Sequence, residues 1–332
     1  YETAYFGKWH VGSTDMDEVK DWHGFQTYID GRNDTEISGW SRNFLKQAHD
    51  KPIFMVTSFL NPHDCCELAR NIAGDNDKYH DGPVEEHMDT AYCPPLPANF
   101  AIPLNEAEGF YGRRNQDPGD NYWSSHPTTL WTDVEWRQSI YGYDRLVEKV
   151  DAHIEAVYDE LDSLGMLENT VVIYTSDHGD GHASHQWNQK KTFYEESINI
   201  PYIISWKGRS KAGAIDDQTV VSNGLDMLPT ILGLAGLSVP ETLPGINLRS
   251  RIIQDTVEYD TITREVVVSE INQKIYTGHT PGTFTGRMLV TKSYKYILFD
   301  KGVNREQLFN LTVDPGELFP VTDNPEYADE LA

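Results

Sequence analysis

The chain has 332 residues, of which 39% are hydrophobic and 11% aromatic, a composition that excludes intrinsic disorder and allows a large buried core. Its 27 Lys and Arg residues stand against 52 Asp and Glu residues, and the resulting net charge of −25 argues against nucleic acid or an anionic membrane surface as the main partner. No run of residues approaches the roughly 18 apolar positions that a membrane span requires. An anionic ligand would therefore need a local cluster of cations or a metal ion.

The amino end of the chain places two basic side chains two residues apart. The sequence begins Tyr1-Glu-Thr-Ala-Tyr-Phe-Gly-Lys-Trp-His10, with no initiator Met and no signal peptide, so we expect it to start inside a domain. In an extended segment, Lys8 and His10 point to the same face and would make a cationic pocket. These four residues alone do not distinguish a pocket from ordinary surface.

The next segments predict a buried strand, a long surface excursion and a helix. Residues 52–59 form a β-rich apolar run that ends at Asn61-Pro62, which predicts a strand followed by a loop. Residues 64–135 are rich in Pro, Gly, Asp and Asn, which predicts irregular structure. Apolar residues recur at three- and four-residue spacing over 136–164, which predicts an amphipathic helix that stops near Gly165.

Strands and helices alternate in the middle of the chain. The pattern predicts a continuously apolar strand at 170–175, a helical stretch at 192–197, a strand at 200–205 and a helix at 224–234. This alternation indicates an α/β domain with a largely parallel sheet.

Beyond Pro240 the pattern changes to short β-rich runs separated by turn residues, which predicts a small antiparallel sheet. The runs are residues 266–270, 287–291 and 294–299. We therefore expect two domains, a large α/β domain over residues 1–250 and a small C-terminal domain over residues 251–332.

Polar residues directly follow two of the predicted strands, at the place where α/β sheets bind their ligands. Asn61-Pro-His-Asp64 follows the first strand, and Asp177-His-Gly-Asp-Gly-His-Ala-Ser-His185 follows the second. Asp177 and His178 offer an oxygen and a nitrogen ligand for a metal ion, and the glycines after them would let the backbone approach it. The alternative is a polar turn in which Asp177 caps a helix. The spacing of the three histidines fits zinc only on a helix, which the glycines disfavour.

Three further side chains have both a chemical and a structural interpretation. His63 could act as a general acid, although a single His after a strand is more often a structural hydrogen-bonding residue. Lys190 and Lys191 could bind an anion, or they could be a solvated basic pair.

Five segments of the chain are informative when they are read together. They are Tyr1-Glu-Thr-Ala-Tyr-Phe-Gly-Lys-Trp-His-Val-Gly12, Thr175-Ser-Asp-His-Gly179, Lys190-Lys-Thr-Phe-Tyr-Glu-Glu196, Ile200-Pro-Tyr-Ile-Ile204 and Leu308-Phe-Asn-Leu-Thr-Val-Asp-Pro-Gly-Glu317. In this order they resemble landmarks of the formylglycine sulfatases of the alkaline phosphatase-like superfamily. The resemblance implies an α/β sandwich with a mostly parallel central sheet and a small C-terminal antiparallel α+β subdomain.

The resemblance also implies a calcium site and an aldehyde-derived nucleophile. Asp177 and His178 fall where the family binds one Ca²⁺ ion, the other ligands being an acidic pair near the N-terminus and the nucleophile. Lys8 and His10 match the residues that hold and polarise the hydrated formylglycine. By the same resemblance, Asp177 is the candidate to take the proton of the attacking hydroxyl, and His10 is the candidate base for the step that expels sulfate.

Substrate contacts follow from the same resemblance. His63 and Lys190 match the residues that grip the sulfate and help the leaving alcohol depart, with His63 as the proton donor. The stretch His185-Gln-Trp-Asn-Gln-Lys190 is similar to bacterial polysaccharide and glycan sulfatases, so we assign His185 together with Lys190 to substrate binding. A focused cationic pocket of this kind would let a strongly acidic protein bind an acidic substrate.

The family's nucleophile motif, Cys/Ser-x-Pro/Ala-x-Arg, does not occur in the chain. Cys66-Glu-Leu-Ala-Arg70 comes near it, but Leu68 stands where Pro or Ala belongs, and the segment lies after the Lys8–His10 pair rather than before it. We interpret it as a chance match. We therefore expect the formylglycine to derive from an upstream Cys or Ser, and this chain by itself to be inert.

These observations predict a sulfuric ester hydrolase that releases sulfate from a glycan or polysaccharide. The alternatives are a phosphodiesterase or phosphonate monoester hydrolase of the same superfamily, and a non-catalytic protein that binds sulfated glycans. The expected partners are a sulfated carbohydrate and a formylglycine-generating or anaerobic maturation enzyme, with neither nucleic acid nor a membrane span. The resemblance implies a periplasmic or secreted protein.

Overall fold

The computed structural model describes residues 1–10, 23–84, 89–110, 128–253, 264–275 and 282–331. The chain divides into two compact units, which we describe separately. Unit 1 comprises Tyr1–Pro95 and Asp133–Leu167, and unit 2 comprises Leu96–Thr132 and Glu168–Ala332. The boundary predicted near residue 250 lies inside unit 2, where helical segments give way to a second sheet, and as a domain boundary it stays a prediction.

Unit 1 contains a parallel three-stranded sheet. Its strands are β1 (Glu2–Gly7), β2 (Thr27–Asp30) and β3 (Ile53–Ser58), in the order β2-β1-β3. Both pairings of β1 are parallel, and β3 confirms the strand predicted from the apolar run at 52–59. Because the strands are parallel, the residues that follow β1 and β3 lie at the same end of the sheet, beyond the carboxyl ends of its strands.

The described part of unit 1 contains three helices, of which the first packs on β1 and β3 and the third packs on the other two helices. They are α1 (Asp34–Leu45), α2 (Cys65–Ile72) and α3 (Asp133–Ser163). The α1 helix is capped by Asn33, whose Oδ1 accepts a hydrogen bond of 3.0 Å from the Glu36 amide. Its side chains Ile37 and Phe44 pack against Ala4 and Phe6 of β1 to form the core of the unit.

The long helix confirms one prediction, and the short one corrects another. Apolar periodicity predicts helix α3, which ends at Ser163, two residues before Gly165, where a φ of +68° favours glycine. Helix α2, in contrast, lies within a stretch that the sequence predicts to be irregular. Its apolar face is a single buried pair, Leu68 and Ala69, which is too short for periodicity to detect.

Unit 2 contains a two-stranded antiparallel sheet. The strands are β4 (Val172–Thr175) and β5 (Tyr202–Ser205), and the helices of this part are α4 (Glu195–Ile198), α5 (Asn223–Leu234) and α6 (Arg249–Ile252). The predicted strands and helices are therefore present. The expectation of a largely parallel sheet is confirmed by β1 to β3. The β4–β5 pair is antiparallel, a direction that apolar runs do not reveal.

The C-terminal part of unit 2 is a four-stranded antiparallel sheet, as predicted. Its strands are β6 (Val267–Ile275), β7 (Gly282–Val290), β8 (Tyr294–Phe299) and β9 (Glu306–Asn310), paired in sequence order. A short helix, α7 (Ala328–Leu331), follows. Single 3₁₀ turns occur at Thr128–Leu130, Leu167–Asn169, Ser184–Gln186 and Pro325–Tyr327.

The core of unit 2 is aromatic and lies on one face of this sheet. It is built by Phe284, Phe299 and Phe309 from the strands together with Phe193 and Tyr194 from the segment before α4. Within the described ranges, no helix has both the length and the hydropathy that crossing a membrane requires.

One charged pair is buried beside this core. Lys295 shares the inward face of β8 with apolar residues, and its Nζ lies 2.6 Å from Oε1 of Glu317. Burial raises the pKa of Glu317 from 4.5 to about 7, even though the ammonium of Lys295 opposes this rise.

We expect this glutamate to make stability depend on pH. Because its folded-state pKa is raised, Glu317 contributes stability that is complete below pH 4.5 and is lost as the pH rises towards about 7. The contribution amounts to roughly 3 kcal/mol. Chemical unfolding of the wild type and of Glu317→Gln over this pH range should therefore give a difference in unfolding free energy that changes with pH.

The exposed substitution Asp217→Asn serves as the control, since it should leave the pH dependence unchanged. A difference between the wild type and Glu317→Gln that is the same at every pH would contradict the prediction.

Candidate functional site

Three of the predicted site residues meet at the carboxyl end of β4. Asp177 and His178 follow the strand directly, and Lys190 comes back to them from the loop before α4. The Nζ atom of Lys190 lies 3.0 Å from Nε2 of His178, which is 3.6 Å from Oδ2 of Asp177. The carboxylate of Asp177 is 75% exposed, so the group is open to a ligand.

The hydrogen bonds of His178 define its tautomer. Its Nδ1 lies 2.7 Å from the carbonyl oxygen of Gly179, so Nδ1 carries the proton and donates it. Nε2 is then an acceptor, and it receives a hydrogen bond from the ammonium of Lys190. In this tautomer the lone pair of Nε2 is directed to a cation.

Gly179 lets the loop after β4 approach the segment that contains α4. Its amide donates a 2.9 Å hydrogen bond to the carbonyl of Ser197, and a Cβ at this position would lie 1.9 Å from the carbonyl oxygen of Glu196. From the sequence, this glycine is expected to let the backbone approach an ion. The structure gives another reason, since the glycine allows two backbone segments of unit 2 to touch.

Asp180 connects the loop after β4 to the residues just before Lys190. One carboxylate oxygen accepts a 2.9 Å hydrogen bond from the amide of His182, and the other accepts a 2.8 Å bond from the amide of Gln189. Burial raises the pKa of this carboxyl. The sequence does not single out Asp180, although it holds the residue next to Lys190, because one more acidic residue in an acidic loop carries no distinct signal.

Asp177 does not cap a helix. The next helical residues of this loop are Ser184–Gln186, so the capping alternative is wrong. His182 and His185 have φ values of +46° and +55°, which confirms that the three histidines do not lie on a helix as zinc binding at their spacing would require.

His185 lies in the interior of unit 2. Its ring is stacked on Tyr194 with 3.9 Å between centroids, and the whole residue is 0% exposed. Its Nε2 lies 3.5 Å from Nδ2 of Asn99 and 3.8 Å from Oε2 of Glu196. The structure therefore surrounds this predicted substrate-binding residue with protein, and the contact to substrate stays a prediction.

In unit 1, Lys8 follows the carboxyl end of β1, the central strand of the parallel sheet. Gly7 before it has a φ of +115°, and a Cβ there would lie 2.0 Å from the carbonyl oxygen of Ser58, so only glycine fits. This close approach lets the Lys8 amide donate a 2.9 Å hydrogen bond to that carbonyl. His10 is exposed, and the residues that follow it lie outside the described ranges.

His63 lies at the same end of the sheet as Lys8, in the turn that follows β3. The turn is held by Asp34, which is 0% exposed and accepts hydrogen bonds of 2.6 Å and 3.0 Å from the amides of Leu60 and Asn61. Burial raises the pKa of Asp34, and these two amides oppose the rise. The sequence gives no sign of this role, since Asp34 has the pattern of an ordinary first residue of a helix.

The near match to the nucleophile motif is helical. Cys66 lies in α2, and Arg70 at its end is engaged with Asp77 and with Glu67, whose Oε1 lies 2.6 Å from Nη2. An arginine occupied by two carboxylates within a helix favours the interpretation as a chance match.

Comparison with known proteins identifies what this arrangement is similar to. The sequence model of the family described as Sulfatase matches residues 1–237, and the one described as N-sulphoglucosamine sulphohydrolase, C-terminal, matches residues 183–332. The first match contains all the predicted site residues in both units.

Individual relatives show the same similarity. The chain is 27% identical to the Delta 4,5-hexuronate-2-O-sulfatase of Bacteroides thetaiotaomicron over 100% of its own length and 67% of that protein. It is 29% identical to an arylsulfatase of Clostridium perfringens, covering 88% of this chain and 54% of the relative. The solved structure of a 2-O GAG sulfatase superposes with a TM-score of 0.79 and 26% identity, over 100% of this chain and 69% of that one. The chain thus spans between about half and two thirds of these proteins.

Proposed function

The chain belongs to the sulfatase family, and from this premise we propose that the whole protein hydrolyses sulfate esters of a carbohydrate. The observation that carries the proposal is the group at the end of β4, where the ammonium of Lys190 lies 3.0 Å from the imidazole of His178 beside the exposed carboxylate of Asp177. A fixed cation next to a potential metal ligand is what an anionic ester needs in a protein whose net charge is −25.

A calcium ion bound by Asp177 and His178 is part of the proposal. The two side chains place an oxygen and a nitrogen donor next to each other, and the bond from Nδ1 to Gly179 gives the tautomer that metal-binding histidines use. Calcium takes about six to eight ligands, so further ones are to come from other parts of the whole protein. When bound, the ion supplies charge neutralisation and lowers the pKa of an attacking hydroxyl.

Lys190 is proposed to bind the sulfate group. Its ammonium has three N–H donors, which suit the oxygens on which negative charge develops as the ester bond breaks. The lone pair of His178 Nε2 accepts one partner at a time, so an ion bound there would release Lys190 for the sulfate. Asp177 is proposed to accept the proton of the attacking hydroxyl.

In unit 1, His63 is proposed to protonate the leaving oxygen. The buried carboxylate of Asp34 fixes the turn that carries it, which limits the orientations available to the ring. Lys8 and His10 are proposed to hold the hydrated formylglycine, with His10 as the base of the step that releases sulfate. The aldehyde is proposed to be made from a Cys or Ser of the whole protein by a maturation enzyme.

The whole protein, co-expressed with a formylglycine-generating enzyme, tests the proposal. Mass spectrometry should find the aldehyde at a Cys or Ser outside this chain, and sulfate should be released from sulfated saccharides, among them a 2-O-sulfated unsaturated uronate like that named for the first relative. Faster cleavage of aryl phosphate than of aryl sulfate would instead indicate the phosphoryl-transfer alternative. Binding of the saccharides with no aldehyde and no sulfate release would indicate a non-catalytic glycan-binding protein.

We also propose that the protein is periplasmic or secreted, because a sulfated polysaccharide is encountered outside the cytoplasm. Fractionation of the native host's cells, followed by detection of the protein in each fraction, would check this location.

A further inference from the structure

Lys295 is a lysine with no exposed surface, on a strand face that otherwise buries apolar side chains. Its Nζ lies 2.6 Å from Oε1 of Glu317, 2.7 Å from Oε1 of Glu195 and 2.8 Å from the carbonyl oxygen of Phe193. The contact with the Phe193 carbonyl is a hydrogen bond, and the two carboxylate contacts are ion pairs. Complete burial of a lysine costs free energy and is rare, so a buried lysine with ion-pair partners indicates a structural role for those partners.

The partners of Lys295 lie in the segment that follows Lys190. Phe193 is three residues beyond Lys190, and Glu195 opens α4. Glu317 adds a second contact, since its Oε2 accepts a 2.8 Å hydrogen bond from the backbone amide of Glu195. Lys295 of the C-terminal sheet thus contacts the side chain of Glu195 and the carbonyl of Phe193, and Glu317, after that sheet, contacts the amide of Glu195.

The same segment supports His178. The carbonyl of Ser197, in α4, accepts a hydrogen bond from the amide of Gly179, the residue next to His178. The two backbones lie so close that a Cβ on Gly179 would overlap the carbonyl oxygen of Glu196. One buried cation thus anchors a segment that has Lys190 at its start and the backbone partner of the His178 loop at its end. The whole connection lies within unit 2.

We propose that Lys295 is a positioning residue for Lys190, a role that rests on the proposed sulfatase activity. Lysine is a flexible side chain, and it stabilises charge in a transition state efficiently only if its backbone is already in place. The buried ion cluster supplies that placement from the opposite side of the loop. Lys295 touches neither substrate nor metal in this role.

A double-mutant cycle on the mature whole protein tests the proposal. Lys295→Met should lower kcat/KM for an aryl sulfate by about tenfold to a hundredfold, the range seen when supporting residues of a site are removed, and mostly through kcat. In a Lys190→Ala background the same substitution should have almost no further effect, because the group it positions is gone. Lys292→Met, an exposed lysine in the turn before β8, is the matched control and should change nothing.

Hydrogen exchange provides a second readout that does not depend on activity. In Lys295→Met the amides of residues 190–197 should exchange faster, while the parallel sheet of unit 1 keeps its protection. Since removal of one partner can leave buried carboxylates unpaired and prevent folding, Lys295→Met/Glu317→Gln is made in parallel to reduce the unpaired charge.

Each outcome tests either the positioning role of Lys295 or the proposed sulfatase function. Equal losses from Lys295→Met in both backgrounds, or unchanged exchange over 190–197, would overturn the positioning role and leave the proposed function standing. Activity that Lys190→Ala does not lower would overturn the positioning role too, because there would be no catalytic lysine to position. Absence of sulfate release by the wild type would overturn the proposed function, and the exchange measurement would still decide whether Lys295 orders this segment.

Discussion

Lys190→Ala is expected to reduce kcat/KM for a sulfated saccharide by about 10²- to 10³-fold, the cost of removing one charge-stabilising donor from an active site. The ammonium of Lys190 lies 3.0 Å from His178 and three residues before a segment fixed by a buried ion cluster, so it is available at a defined place. Methionine at the same position should behave like alanine, because the charge rather than the chain length carries the effect. Steady-state kinetics on the mature whole protein measures the loss.

Lys191→Ala is the matched control for this prediction. Lys191 is the adjacent lysine and is exposed, whereas Lys190 is half-buried and faces His178. Its removal should change kcat/KM by no more than a factor of about two or three, the usual size of a surface charge effect. Equally small changes from the two substitutions would instead support the interpretation of the two lysines as a solvated basic pair.

Asp177→Ala is expected to abolish calcium binding and, with it, sulfatase activity. The carboxylate is 75% exposed and supplies the hard oxygen donor of the pair with His178, which calcium prefers to nitrogen. Calcium at about 100 times its dissociation constant should stabilise the wild type by about 2.7 kcal/mol, and this stabilisation should vanish in the variant. Elemental analysis of the purified protein and thermal unfolding with and without calcium give the two measurements.

Asp217→Ala provides the comparison for the calcium experiment. It removes another exposed aspartate of the same unit at a position that the site does not include. Calcium content and the calcium-dependent stabilisation should both be retained. Unchanged calcium content in Asp177→Ala would remove Asp177 from the proposed ligand set, whatever happened to activity.

Supporting residues of the site escape prediction from sequence for a common reason. Asp34 and Lys295 are fully buried and Asp180 is half-buried, and each holds a backbone amide or carbonyl in place. In sequence each resembles an ordinary surface charge, because most charged residues are exposed. Only the fold shows that these three are not.

Sequence patterns predict the features that repeat locally or lie next to one another along the chain. Apolar spacing predicts helix α3, and β-rich runs separated by turn residues predict the C-terminal antiparallel sheet. The position of Asp177 and His178 just after a predicted strand marks them as candidate ligands. These signals are strong because a helix or strand must present its apolar residues at a set period to bury them.

The tertiary structure alone decided which distant residues meet. It paired β4 with β5 in antiparallel fashion, brought Lys190 to His178, enclosed His185 against Tyr194 and buried Lys295 beneath the loop that carries Lys190. The physical reason is that such contacts depend on the path of the chain between the partners, which no local period encodes. Burial then gives a charge its meaning, since a lysine that is solvated on a surface becomes a fixed anchor once three acceptors surround it.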